Sequence, residues 1–410
     1  MGKDVVFKKI LGISFFLILS ACAPRTSESM FDDGSTEQNA ECQGEAIKNR
    51  FIVHWIDGSV SVESGENKEV FLKGFVDPKL NQIQKVEYDR KMNLIIPSAE
   101  VATTTNNMDM WGQEMVGVED VWARGVEGQG VLVSVVDTGA DYNHEQLAGN
   151  IAINTGEIPN NQIDDDKNGY VDDYYGYDFV NKIGDPIDNQ GHGTHVSGII
   201  AADANSGSMK GLAPKAKIVP AKFIAPGGGT FGDAIMAIRY AYERGAKIIN
   251  ASWGGPACSV SLKETMVALE SKGVLFVVAA GNDARNIDRS PDYPASYNLT
   301  NQITVGASNF YDVTASFSNI GTTLVHLVAP GDSIFSLKPG GGGVTMSGTS
   351  MSAPFVSGAA ALLLSAHPQA SVSQIRQALF SSVDSGAFPV ATHGRLNVRK
   401  ALEKLDQLVQ

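Results

Sequence analysis

Basic side chains and cysteines are both scarce in this 410-residue chain. Lys and Arg number 32 against 45 Asp and Glu, a net charge of −13. With no basic stripe to neutralise phosphates, nucleic acid is excluded as a partner. The balance suits an exported or surface protein that binds cations. Three cysteines, Cys22, Cys42 and Cys258, allow one bridge at most. No repeat of fixed period and no heptad array runs through the chain, so it is neither a solenoid nor a coiled coil. Long apolar runs are missing as well. The stretch from Ile10 to Leu19 is too short for a helix to span a bilayer, which needs about 20 residues. What is present is glycine, at 43 residues, and a 43% apolar content that can bury one large core.

Apolar runs near Val131, Ile218, Ile248, Val274 and Ile303 alternate with helical patterns over 233–244, 261–272 and 350–366. That alternation predicts an α/β fold with a mainly parallel sheet and helices on both faces. Four motifs carry chemistry on it. Val131–Val136 is a continuous apolar run, the pattern of a strand buried on both faces, and ends in Asp137-Thr138-Gly139. A carboxylate is thus delivered where open α/β sheets place their sites. Gly191-His192-Gly193-Thr194-His195 opens a small-residue helix with an imidazole between two glycines. Val277–Asn282 is a buried strand running into an amide that can donate to a developing negative oxygen. Gly348-Thr349-Ser350-Met351-Ser352-Ala353-Pro354 puts a serine at the mouth of an apolar helix, with Pro354 assigned to its first turn. Free backbone N–H groups there suit an oxyanion. His195, three residues after His192, is expected to be a packed helix residue with one ring nitrogen satisfied. His144 is expected to shape its loop.

Over residues 111–405 these motifs, in the order Asp, His, Ser, resemble the subtilisin-like serine proteases, the subtilases of peptidase family S8. The resemblance implies a three-layer subtilisin-like fold and an endopeptidase acting on polypeptides, as a monomer. It gives Ser350 as nucleophile and His192 as general base, then acid. Asp137 is the imidazole's partner, and Asn282 with the Ser350 N–H forms the oxyanion hole. Ser252, Trp253 and Gly254 resemble the strand lining the primary specificity pocket, and Gly228 lies in a segment like the opposing strand. No acid stands near Trp253 in sequence, which points to a large apolar substrate side chain. A catalytically dead fold used as a binding module, or a calcium-dependent adhesive protein, would differ in leaving a serine-directed phosphonate unreacted.

The acidic loop 164–173 holds Asp164, Asp166, Asn168 and Asp172 at EF-hand-like spacing around Gly169, but Tyr175 stands where the bidentate glutamate belongs. A structural calcium ion in other geometry is expected. A second family calcium site lacks its usual aspartate, since Gln146 stands there. Residues 1–21 read as a targeting segment, with Lys3, Lys8 and Lys9 before the apolar run. Leu19-Ser20-Ala21-Cys22 resembles a bacterial lipoprotein signal, with lipid on Cys22, and the alternative is a plain secretion signal. The resemblance places the protein in the cell envelope, at the outer membrane if the organism has one, or secreted. Residues 22–45 read as a polar tether and 46–100 as a propeptide-like segment, either cut in 97–109 or retained. Cys42 and Cys258 are either bridged or unpaired.

Overall fold

A computed structural model describes residues 25–33, 44–92, 99–100, 110–207 and 209–410. The leader, Cys22, Cys42 and most of the expected cut stretch lie outside the described residues. In the N-terminal segment, β1 (Ala46–Trp55) pairs antiparallel with β2 (Val60–Ser64) and β3 (Ile83–Met92). Helical turns over 68–79 join β2 to β3. Side chains alternate across β1. Phe51 and Val53 face a small core with Phe71, Leu72 and Val86, while Ile52 between them joins the core of the main domain.

The main domain carries β4 (Leu132–Asp137), α1 (His192–Ala201), β5 (Lys217–Lys222), β6 (Gly229–Thr230), α2 (Phe231–Glu243) and β7 (Ile248–Ala251). There follow α3 (Val260–Ala268), β8 (Leu275–Ala279), β9 (Gln302–Ser308), β10 (Leu327–Pro330) and α4 (Thr349–Ala366). The central sheet runs β10-β9-β8-β7-β4-β5, every neighbour parallel. Tyr177–Asp178 extends it beyond β5, and Gly394–Arg395 then Asp384–Ser385 extend it beyond β10, the last pair alone antiparallel. The expected three-layer α/β architecture is present.

The layers follow from the strands' double burial. Val133, Val135, Ile248 and Val277 pack with α1 and α4, whereas Val136, Ile249, Phe276 and Val278 pack with α2 and α3. Adjacent residues thus serve opposite cores, which is why these strands read as unbroken apolar runs. α4 is long and apolar enough to cross a membrane by composition, yet it lies mostly buried as the core helix of one layer.

The N-terminal segment docks on α2 and α3. Buried Asp89 accepts a hydrogen bond from the Gly232 N–H at the start of α2 (2.8 Å) and pairs with Arg50 (3.0 Å), which also pairs with Asp233. Burial pushes the Asp89 carboxyl up to about 6, against the pull of Arg50. Glu87 and His54 both reach Ser261 in the first turn of α3. The end of β3 pairs antiparallel with β6, Lys91 opposite Thr230 and Met92 opposite Gly229. Cys258 is disulfide-bonded, so of the two expectations for this thiol the bridged one holds.

Candidate active site

Asp137 ends β4, the strand between β7 and β5, and is fully buried. Its Oδ1 lies 2.7 Å from His192 Nδ1 and accepts the Thr138 N–H at 2.7 Å. His192 is the first residue of α1, entered through Gly191 at φ 108°, a left-handed conformation that glycine adopts without strain. Gly193 is also required, because a Cβ there would meet the Gly139 carbonyl oxygen at 2.1 Å. Burial alone would lower the His192 pKa. The charge and hydrogen bond of Asp137, with the charge of Asp188, carry it above the ordinary imidazole value. The other ring nitrogen, Nε2, is buried without a hydrogen-bond partner among the described residues. An acceptor held in place by a carboxylate on one side and left open on the other is what a general base requires.

Ser350 is the second residue of α4, so its N–H has no partner within the helix. Helices α1 and α4 pack against one another. The Ser350 hydroxyl donates to the Ser252 carbonyl at 2.9 Å and not to His192. Pro354 sits deeper than its sequence assignment, as the sixth helical residue and beyond the first turn. The reason is local. Proline has no N–H to give to the carbonyl four residues back, which is that of Ser350. The Ser252 hydroxyl donates to that carbonyl instead, at 2.8 Å. The Ser350 backbone and side chain are therefore both tied to Ser252, a link that motif reading did not supply.

Asn282 is fixed by its acceptor end. Its Oδ1 accepts the Thr349 N–H (2.8 Å) and the Thr349 hydroxyl (2.9 Å). The amide orientation is thereby set, and Nδ2 is left as the donor. Ser350 and Asn282 line one pocket with Trp253, Gly254 and Gly255. Trp253 is held from behind by its indole N–H on the Val136 carbonyl (2.7 Å). Gly228 is already in use, since a Cβ on it would lie 2.6 Å from the Met92 carbonyl oxygen. The pocket holds two residues that sequence reading missed, Asp283 and Asp292.

His195 is neutral and structural. Burial, helped by His192, pushes its pKa down to about 3, and Nε2 donates to the Ile334 and Val344 carbonyls, both at 3.1 Å. His144 braces its loop, with Nδ1 accepting the Gln146 N–H and Nε2 on the Gly342 carbonyl. The Gln146 amide donates to the Asp203 and Met209 carbonyls.

In the acidic loop the carboxylates of Glu157, Asp164 and Asp166 lie within 4.8 Å of one another. Asp172 is not in that group. Its two oxygens accept the N–H groups of Asn161 (3.0 Å) and Gln162 (2.9 Å), and both oxygens of Glu157 and of Asp164 accept backbone N–H groups as well. Asn168 turns its N–H to Asp164 and Asp166, and its Oδ1 accepts from Tyr170 N–H. Glu157, upstream of the loop, was not legible in its spacing. Its carboxyl pKa is raised by burial, with the Asp173 and Asp166 charges adding to the effect. Three converging carboxylates, one buried, match the oxygen donors that a hard cation such as calcium takes.

A parallel α/β sheet with a carboxylate, an imidazole and a helix-terminal serine at its carboxyl edge defines the class of subtilisin-like serine endopeptidases. The chain belongs to one family of that class, the subtilase family, whose sequence model matches residues 128–400. It is 34% identical to thermitase of Thermoactinomyces vulgaris over 72% of this chain and 95% of that protein. It is 33% identical to subtilisin-like protease 1 of Plasmodium berghei over 67% of this chain, and spans about half (49%) of that relative. Among solved structures it shares the fold of fervidolysin from Fervidobacterium pennivorans, described as a keratinolytic enzyme related to subtilisin. The TM-score is 0.69 at 24% identity, over 88% of this chain and 62% of that one.

Proposed function

We propose that the chain hydrolyses peptide bonds with Ser350 as nucleophile. The observation that carries this reading is the buried His192–Asp137 pair, with Nε2 left without a partner among the described residues on a helix that packs against α4. The Ser350 Oγ attacks the substrate carbonyl carbon while its proton passes to His192 Nε2. The resulting oxyanion takes hydrogen bonds from Asn282 Nδ2 and the Ser350 N–H. As the C–N bond breaks, His192 returns the proton to the leaving amine, and water then releases the acyl group by the same steps. Asp137 holds the ring and stabilises its cation. A serine-directed phosphonate should label Ser350, and labelling elsewhere or not at all would reject the assignment.

The segment 46–100 acts as an inhibitory propeptide, supported by β3 lying along β6, where a substrate strand would add. Arg50→Glu, which puts a like charge against Asp89 and Asp233, is expected to raise small-peptide turnover by the uncut chain several-fold. Unchanged turnover would mean that the cleft is not covered.

Glu157, Asp164 and Asp166 hold a structural calcium ion, which relieves the repulsion among carboxylates that the fold brings together. Binding to the native state adds RT ln(1 + [L]/Kd), about 2.7 kcal/mol at 100 times Kd. The melting temperature should rise with calcium, and Asp164→Ala with Asp166→Ala should flatten that rise. A chelator that leaves the wild-type melting temperature unchanged would show a solvated acidic turn.

The N-terminus is anchored by lipid on Cys22 in the cell envelope. Cys22→Ser is expected to move the protein from the membrane to the soluble fraction. Mutant protein that still floats with membranes in a density gradient would count against lipidation.

A further inference from the structure

The pocket beside Ser350 and Asn282 is built largely of backbone and small side chains, from Trp253–Gly255 on one side and Ala279–Gly281 on the other. Its charge comes from Asp283 and Asp292, brought in from segments distant from Trp253 in sequence. Asp292 is 5% exposed and lies hard against the wall, since a Cβ on Gly281 would sit 2.9 Å from its Oδ2. Both carboxylates converge on one guanidinium. An Arg285 terminal nitrogen lies 2.8 Å from Asp283 Oδ2 and 2.8 Å from Asp292 Oδ2, while Asn319 Nδ2 donates to Asp292 at 2.9 Å. Burial raises the Asp292 pKa and the Arg285 charge offsets part of that rise.

We propose that Arg285 supplies, from within the protein, the counter-charge that a substrate lysine or arginine would otherwise bring to this pocket. The substrate class is then peptides with a neutral, apolar residue on the acyl side of the scissile bond, and basic residues are rejected. The inference rests on the reading of Ser350 as the nucleophile of an endopeptidase. Two carboxylates without Arg285 would form a site for a cation. With Arg285 in place, an entering cation meets carboxylates already paired and a fixed like charge, and discrimination by such repulsion needs no added attraction for the favoured side chain. An entering carboxylate is disfavoured too, because two negative groups face one positive group.

The test uses the full chain and peptides that differ only in carrying Phe, Lys or Glu at that position. The pH is about 8, above the ordinary range of carboxyl groups. Wild-type kcat/KM should favour Phe over Lys by about tenfold or more, the order expected of one nearby like charge. Arg285→Gln should raise Lys relative to Phe by about tenfold, and adding Asp292→Asn should remove that gain. An unchanged ratio in Arg285→Gln, or a wild type that takes Lys as readily as Phe, would overturn the inference. Should Arg285→Gln fail to fold, Asp283→Asn gives the complementary readout. It removes a partly exposed carboxylate and should lower Lys further against Phe, and an unmoved ratio again overturns the inference. Turnover of all peptides without selectivity leaves the endopeptidase reading standing and removes this one. No turnover and no phosphonate label on Ser350 would remove both.

Discussion

Ser350→Ala should reduce peptide hydrolysis by about 10⁶-fold, with the melting temperature nearly unchanged. That magnitude is the one known for loss of the nucleophile in subtilisin, and is carried over to this chain from that relative. The separation of activity from stability does follow from this structure. The Ser350 hydroxyl makes a single hydrogen bond, to the Ser252 carbonyl, and the alanine keeps the Cβ and the helix. The Ser252 hydroxyl still donates to the Ser350 backbone carbonyl in the mutant, so the helix mouth stays tied. Undiminished turnover by the purified variant would end the assignment of Ser350. A large drop in melting temperature would instead show that the hydroxyl has a packing role.

Asn282→Ala should lower kcat by about 10²–10³, the size known for loss of one oxyanion-hole donor in subtilisin, if Asn282 supplies that donor as proposed. The geometry says where the loss falls. Oδ1 is spent on Thr349, so only Nδ2 is left to donate, and in the proposed mechanism it donates to the oxygen that becomes charged. The loss should therefore appear in kcat and kcat/KM alike, with KM little moved. A change confined to KM would mean that Asn282 binds ground-state substrate only. The alanine also leaves the Thr349 N–H and hydroxyl without their acceptor at the start of α4. Asn282→Asp keeps that acceptor but replaces the donor with a charge, so it should be at least as damaging to kcat while sparing the helix mouth.

Much of the architecture was legible because strands buried on both faces must read as apolar runs, and β4, β7 and β8 do. The positions of Asp137, His192 and Asn282 were legible because each follows or opens such an element amid small residues that permit close approach. Contacts made by topology alone were not legible. Glu157 enters the acidic group from upstream of the loop whose spacing suggested a ligand set, while Asp172 of that set lies outside the group. Asp283 and Asp292 reach the pocket of Trp253 from β-strand ends and loops well along the chain, so scanning near Trp253 finds no acid. Pro354 illustrates a finer point. Its residue type announces a missing N–H, but only the structure shows which hydroxyl takes up the carbonyl it leaves free.

If the N-terminal segment covers the cleft as proposed, the pairing of β3 with β6 makes that occupation a unimolecular event while the chain is continuous. A segment carried on the same polypeptide is presented to its site at an effective concentration on the order of millimolar. Peptides at micromolar levels cannot displace it by mass action, and diluting the protein does not weaken its hold. Once the connection is cut, the same contacts become a two-body equilibrium unless another link is kept. Occupancy then falls with dilution, with volume and with any process that removes the freed piece, so a single broken bond changes the variable that governs access to Ser350 from chain geometry to concentration.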